Sequence, residues 1–115
     1  MVKQDPYIPC RGDAVWISLV PQAGHGQSGR RPAVVLSPEA YNAKAGLALF
    51  CPVTSQIKGY PWEVAIPDGL PISGVVLADQ VKSLDWRSRS ATKICPLPES
   101  VVAEILAKLG TLLRP

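Results

Sequence analysis

From Pro98 onward, Val101, Val102, Ile105, Leu106, Leu109, Leu112 and Leu113 recur at steps of three and four residues and define one apolar stripe on a helix. Glu99 near its start and Lys108 and Arg114 near its end match the charges a helix dipole favours, and Gly110 weakens the last turn. Such a helix must bury its stripe, and the rest of the chain offers mainly short β-branched runs to bury it against. The arrangement this dictates is one helix packed across a small, strongly curved antiparallel sheet. With 115 residues there is material for a single core, so residues 1–115 are expected to form one domain without an internal linker.

The runs that would build the sheet are separated by turn residues. Asp13 to Val20 is strand-like, with Pro21 blocking further pairing. The loop Gly24-His25-Gly26-Gln27-Ser28-Gly29-Arg30 then leads into a second strand, Arg31 to Ser37. Pro38 to Gly46 has the form of a short helical turn, with proline at its first position and glycine at its end. Leu47 to Val53 is a third strand, ended by Pro52 and the polar Thr54-Ser55-Gln56, and Lys58-Gly59-Tyr60-Pro61 makes a second loop. Trp62 to Ile66 alternates like a half-buried strand, and Pro67-Asp68-Gly69 is a turn. Gly74 to Ala78 and Val81 to Trp86 form one bent strand or two, Arg87-Ser88-Arg89-Ser90 is an exposed basic cluster, and Ala91 to Cys95 is the last short strand. Five to seven strands, the terminal helix and a short helix around Glu39 suggest a small barrel.

Several classes of function are disfavoured. No apolar run approaches the ~18 residues that span a bilayer, and Met1-Val2-Lys3-Gln4-Asp5-Pro6 does not resemble a secretory signal, so a cytoplasmic protein without membrane contact is expected. Cys10, Cys51 and Cys95 are odd in number and form no Cys-x-x-Cys pair, which argues against a disulfide framework and a zinc site. With one histidine in the chain, no metal and no cofactor are expected. Cys51, in an apolar run, reads as a small buried hydrophobe. The net charge of +3 is a mild bias towards anionic partners.

Three polar sites fall at strand edges: Arg31 with His25 upstream, Thr54-Ser55-Gln56, and Asp79-Gln80. Side chains there are held by the scaffold and still reach solvent, although Thr54 and Asp79 are also residue types that satisfy turn backbone groups. If the three sites converge, they suit RNA cleavage. RNA supplies its own nucleophile, the 2′-hydroxyl, so the reaction needs a base, a cation for the developing phosphorane and an acid for the leaving 5′-oxygen, without a metal. Arg31 would stabilise the phosphate, Thr54 would donate to a non-bridging oxygen, and His25 or Asp79 would handle protons. By its reference pKa of ~6.5, histidine suits proton transfer near neutral pH better, but His25 is held between Gly24 and Gly26.

The chain also resembles the MazF/PemK (Kid-like) toxins of bacterial toxin-antitoxin pairs. The resemblance rests on Gly12-Asp13 with Val15-Trp16, on Gly29-Arg30-Arg31-Pro32-Ala33-Val34-Val35-Leu36-Ser37-Pro38, on Pro52-Val53-Thr54-Ser55-Gln56 and Lys58-Gly59-Tyr60-Pro61, and on Gly74-Val75-Val76-Leu77-Ala78-Asp79-Gln80-Val81-Lys82-Ser83. It implies a mostly β fold with α, a small SH3-like antiparallel β-barrel of the CcdB/MazF/PemK kind with a C-terminal helix and one or more short helices. It further implies a homodimeric, metal-independent, sequence-specific endoribonuclease that cuts single-stranded RNA (mRNA) to 2′,3′-cyclic phosphate and 5′-hydroxyl ends. The partner it implies is an antitoxin with a disordered acidic tail. Arg31 and Thr54 match the catalytic pair of such toxins, and His25 and Asp79 fall on a loop histidine and an aspartate that take part in the PemK branch.

Two positions depart from the pattern. Gly26 stands before Gln27 where many relatives have a carboxylate, and Leu77 stands two before Asp79 where the PemK branch has an arginine. The resemblance then implies that the phosphate-binding arginine is Arg31, as in the MazF branch, and that more of the acid-base work falls to His25. For RNA binding the candidates are Gln27, Ser28, Gln56, Lys58 and Arg87. Tyr60 and Trp62 are able to stack a base, but core or dimer packing is the commoner use of such a run. Two other functions compete: a CcdB-type gyrase binder, disfavoured because the chain ends Leu112-Leu113-Arg114-Pro115 without an exposed tryptophan, and an RNA-binding module that lost catalysis through Gly26.

Overall fold

β-Branched runs punctuated by proline and glycine become strands, and the two segments with helical start and stop signals become helices. The computed structural model describes residues 6–18 and 29–115. Its elements are β1 (Asp13–Ser18), β2 (Arg30–Val35), α1 (Glu39–Ala45), β3 (Leu47–Thr54), β4 (Glu63–Ala65), β5 (Val75–Leu77), β6 (Lys82–Asp85), β7 (Thr92–Pro96) and α2 (Glu99–Gly110). The strands pair in the order β4-β5-β3-β2-β1-β7, with β6 also on β3, and every pairing is antiparallel. Among the described residues this path is not closed into a barrel.

β3 is the strand on which the sheet turns. One edge pairs β2 through Phe50, Cys51 and Pro52, while the other pairs β6 through Leu47–Phe50 and then β5 through Val53 and Thr54. Pro52, expected to end the strand, lies inside it opposite Ala33, and the strand runs on to Thr54. The segment after Gly74 resolves into two strands, β5 and β6, because each takes a different stretch of β3 as partner.

The strand period of two splits the apolar residues between two faces. On one face Val34, Cys51, Val53, Val64 and Val76 pack with Val101, Ile105 and Leu109 of α2. On the other, Val15, Ile17, Ala33, Val35, Ala48 and Phe50 pack with Leu84 and Trp86. The apolar stripe is narrower than its sequence suggested. α2 ends at Gly110, so Leu112 and Leu113 lie beyond it, 50% and 75% exposed, and the buried residues of α2 are Val101, Ile105 and Leu109, spaced by four. Among the described residues no helix is long and apolar enough to cross a membrane.

α1 is tied down by polar groups. Gly46 closes it at φ 71°, donating its N–H to Asn42 O at 3.1 Å, and Pro38 sits at the N-cap, one position earlier than expected. Asn42 is fully buried. Its Nδ2 donates to Pro9 O at 2.8 Å and Ser37 O at 3.0 Å, its Oδ1 accepts from Ser37 Oγ at 2.5 Å, and its backbone O accepts from Trp86 Nε1 at 3.0 Å. Asn42→Ala leaves two buried carbonyls and a hydroxyl without these partners, so it is expected to lower unfolding stability by about 3 kcal/mol. Urea denaturation checks this, and a loss below about 1 kcal/mol would show that the network is not structural.

Candidate active site

Adjacent arginines at the start of β2 have different surroundings. Arg30 reaches across β1 to β7: its guanidinium donates to Thr92 Oγ1 at 2.6 Å, Ser90 O at 3.1 Å and Trp16 O at 3.4 Å. Arg31 is exposed, with Nη1 donating to Arg30 O at 2.9 Å. The pairing of β2 with β3 runs Val35↔Phe50, Val34↔Cys51, Ala33↔Pro52. The ladder ends at Ala33↔Pro52, and Arg31 and Thr54 each lie two residues beyond that pair on their own strands. By strand alternation Arg31 shares a face with Ala33 on β2, and Thr54 with Pro52 on β3.

Thr54 is the last residue of β3 and is held on both sides. Its pairing with Val75 fixes the backbone, and its Oγ1 accepts the Gln56 N–H at 3.1 Å. The turn-capping use of threonine is therefore real, but it occupies only an acceptor site, and the hydroxyl retains its hydrogen for donation. Gly74, at φ +112°, packs on the carbonyl of Thr54: a Cβ there would lie 2.2 Å from Thr54 O.

Thr54, Gln56, Lys58, Tyr60, Glu63, Leu77 and Gln80 line an open cleft of ≈ 350 Å³. The Lys58 loop is clamped by Glu63, whose two carboxylate oxygens accept the backbone N–H groups of Lys58 at 3.0 Å and Gly59 at 3.1 Å. Lys108 of α2 donates to Glu63 O at 2.8 Å, and Trp62 Nε1 donates to Lys108 O at 3.1 Å, so the loop is braced against the helix. Asp79 follows β5. One oxygen accepts the Tyr60 hydroxyl hydrogen; the other is buried and has no hydrogen-bond partner among the described residues. That hydrogen bond, with smaller contributions from burial and from the charges of Asp79 and Glu63, raises the Tyr60 pKa, which keeps the phenol a donor.

Cys51 is fully buried in the core, with Sγ 3.8 Å from Ala78 O. Burial, and secondarily the charge of Asp79, push its thiol up to about 12, so it stays protonated and unreactive. All three cysteines are free.

A family model described as "PemK-like, MazF-like toxin of type II toxin-antitoxin system" matches residues 10–113. The chain belongs to this family. It is 48% identical over 107 residues to the endoribonuclease toxin MazF of Escherichia coli K12, covering 93% of this chain and 96% of that one. With the endoribonuclease PemK of Escherichia coli the identity is 34% over 110 residues, covering 90% and 80%. A crystal structure of MazF (Form-I) from Deinococcus radiodurans superposes with a TM-score of 0.85 at 57% identity, covering 94% of this chain and 98% of that one. A MazE-MazF complex (Form-II) from the same organism gives 0.85 at 52% identity, covering 94% and 97%.

Within this toxin fold the expected site residues fall into three groups. Thr54, Gln56 and Lys58 line one cleft, Asp79 is bonded to Tyr60 at its wall, and Arg31 is exposed on β2, two residues beyond the last β2–β3 pair. Arg87 lies elsewhere: it stacks over Trp86, with Cζ 4.8 Å from the ring centroid, just past the Asp85↔Leu47 pair. That is the far end of β3 from Thr54, on the order of 20 Å along the strand. In the same basic cluster Arg89 is partly buried, with Nη1 donating to Ser18 O at 3.1 Å. His25, Gln27 and Ser28 lie outside the described residues. Sequence reasoning passed over Glu63, whose only signal is its polar place in the half-buried Trp62 to Ile66 run. Trp62 packs against the core as expected, but Tyr60 is 41% exposed and belongs to the cleft.

Proposed function

We propose that this toxin is an endoribonuclease whose reacting phosphate sits between Arg31 and Thr54. The observation that supports the reading is the cleft lined by Thr54, Gln56, Lys58 and Tyr60, with Asp79 accepting the Tyr60 hydroxyl and Arg31 exposed at the start of β2, two residues beyond the Ala33↔Pro52 pair. Arg31 neutralises the charge that grows on the non-bridging oxygens, and its planar fork suits two of them at once. Thr54 donates its hydroxyl hydrogen to one of these oxygens. The RNA 2′-oxygen attacks phosphorus as its proton passes to Asp79. The P–O5′ bond breaks, the 5′-oxygen takes a proton from His25, and the products are a 2′,3′-cyclic phosphate and a 5′-hydroxyl. With the nucleophile supplied by substrate, these side chains account for each proton and charge without a metal or cofactor.

Gln27, Ser28, Gln56 and Lys58 hold single-stranded RNA through base edges and phosphates. Arg87, at the far end of β3, serves a longer RNA path or the second subunit of a homodimer. The sheet is the greater part of a small SH3-like barrel, and the protein acts in the cytoplasm. Its inhibitor is an antitoxin with an acidic segment, a reading supported by the MazE-MazF complex of Deinococcus radiodurans.

The experiment is cleavage of a defined single-stranded RNA in excess chelator, with both ends of each product analysed. Cleavage at short specific sequences, leaving cyclic phosphate and 5′-hydroxyl ends, is expected. Loss of cutting on chelation, 5′-phosphate ends, or binding without cutting would each overturn the mechanism. Binding without cutting would identify a non-catalytic RNA-binding module.

A further inference from the structure

Tyr60 has no role in the mechanism above, yet its hydroxyl hydrogen goes to the carboxylate of Asp79. Burial does not explain its presence, since the side chain is 41% exposed. Its ring lies 6.0 Å from that of Trp62 at an interplanar angle of 54°, Trp62 is fixed to Lys108 O and Thr111 Oγ1 of the α2 end, and Glu63 N donates to Tyr60 O. The phenol is thus anchored from the helix side and points its donor at the carboxylate.

We infer that Tyr60 is a positioning residue: by donating to one oxygen of Asp79 it fixes the carboxylate plane, and that oxygen, beside the cleft-lining Tyr60, keeps a second lone pair for the RNA sugar hydroxyl while the other oxygen is buried. This rests on the endoribonuclease reading. A carboxylate on a single-bonded side chain rotates through a broad range about its last torsion, and a nucleophile held even ~1 Å out of place loses rate steeply. The donated hydrogen bond supplies the missing restraint. Its contribution is aim.

The test compares the full-length protein with Tyr60→Phe, Asp79→Asn and the double variant in steady-state cleavage of a fluorogenic RNA. Phenylalanine keeps the ring against Trp62 and removes only the hydroxyl. Tyr60→Phe is expected to lower kcat about 10- to 100-fold with KM within about threefold, and to have no further effect in the Asp79→Asn background. Alkaline absorbance titration gives an independent readout: the tyrosinate signal lost in Tyr60→Phe should move to lower pH in Asp79→Asn, as the hydrogen bond that raises it is weakened. Wild-type kcat in Tyr60→Phe, an equal further loss in the double variant, or a rise in KM alone would overturn the inference; the last would make Tyr60 a base-stacking residue. If the unmodified protein fails to cleave RNA, the functional reading falls and takes this inference with it. An active wild type beside an unaffected Tyr60→Phe removes the inference alone.

Discussion

Arg31→Ala is expected to lower the RNA cleavage rate by about 10²- to 10³-fold, the usual cost of removing one preorganised group from a developing oxyanion, while leaving the fold intact. Arg31 is exposed, so truncation opens no cavity in either core layer. Its guanidinium gains its value when negative charge accumulates on phosphorus, so the loss belongs in kcat more than in KM. Arg31→Lys keeps the charge and loses the fork, and is expected to fall between wild type and alanine. Arg30→Ala is the contrasting variant. It breaks the ties to Thr92, Ser90 and Trp16 and should lower stability by about 1 kcal/mol with a near-normal rate per folded molecule. Initial rates, together with thermal unfolding, check both. If Arg31→Ala cleaves at the wild-type rate, or if Arg30→Ala takes the catalytic loss instead, the assignment of the phosphate-binding arginine is wrong.

That the two neighbours differ is not readable from Arg30-Arg31-Pro32 alone. Which arginine turns towards β7 depends on the β1–β2 and β1–β7 registers, and these are set by long-range pairing. Local pattern carried further for the elements themselves. Alternating apolar residues marked the strands, Gly46 marked the end of α1, and steps of three and four marked α2, although only Val101, Ile105 and Leu109 of that stripe are buried in the helix. Pattern failed where partners decide the outcome. Pro52 looked like a stop, but β3 runs through it to Thr54 with β2 on one edge and β5 on the other, so the strand tolerates its missing N–H. Leu112 and Leu113 kept helical spacing beyond Gly110, where no helix continues to carry them inward.

The site divides along the same line. Arg31, Thr54 and Asp79 were legible as polar residues at strand ends, because that is where a rigid scaffold meets solvent. Tyr60 was legible only as an aromatic, since its hydroxyl meets a residue 19 positions away. Glu63 and Lys108 were silent for a similar reason: they act by bracing the Lys58 loop against α2, a contact 45 residues apart.

Gly74→Ala is expected to impair catalysis as well as stability, although residue 74 meets no substrate in the mechanism. Glycine at φ +112° tolerates a conformation that costs an L side chain on the order of 1–3 kcal/mol. The larger conflict is spatial. The added Cβ would lie 2.2 Å from Thr54 O, 3.0 Å from Thr54 C and 3.3 Å from Ser55 Cα, all backbone atoms that cannot swing aside like a side chain. Gly74 is also fixed from behind, its carbonyl accepting the Ile66 N–H at 3.0 Å, so the displacement falls on the end of β3. Moving Thr54 by ~1 Å disturbs the donor to the phosphate oxygen and costs up to about 10²-fold in rate. The expected result is a lower melting temperature together with a kcat reduced about 10- to 100-fold in the fully folded protein, measured well below its transition. Thr54→Ser supplies the control, because it keeps the hydroxyl and should retain most of the activity. A Gly74→Ala protein that melts earlier but cleaves at the wild-type rate per folded molecule would mean that β3 absorbs the strain elsewhere, and that the placement of Thr54 does not depend on the glycine beneath it.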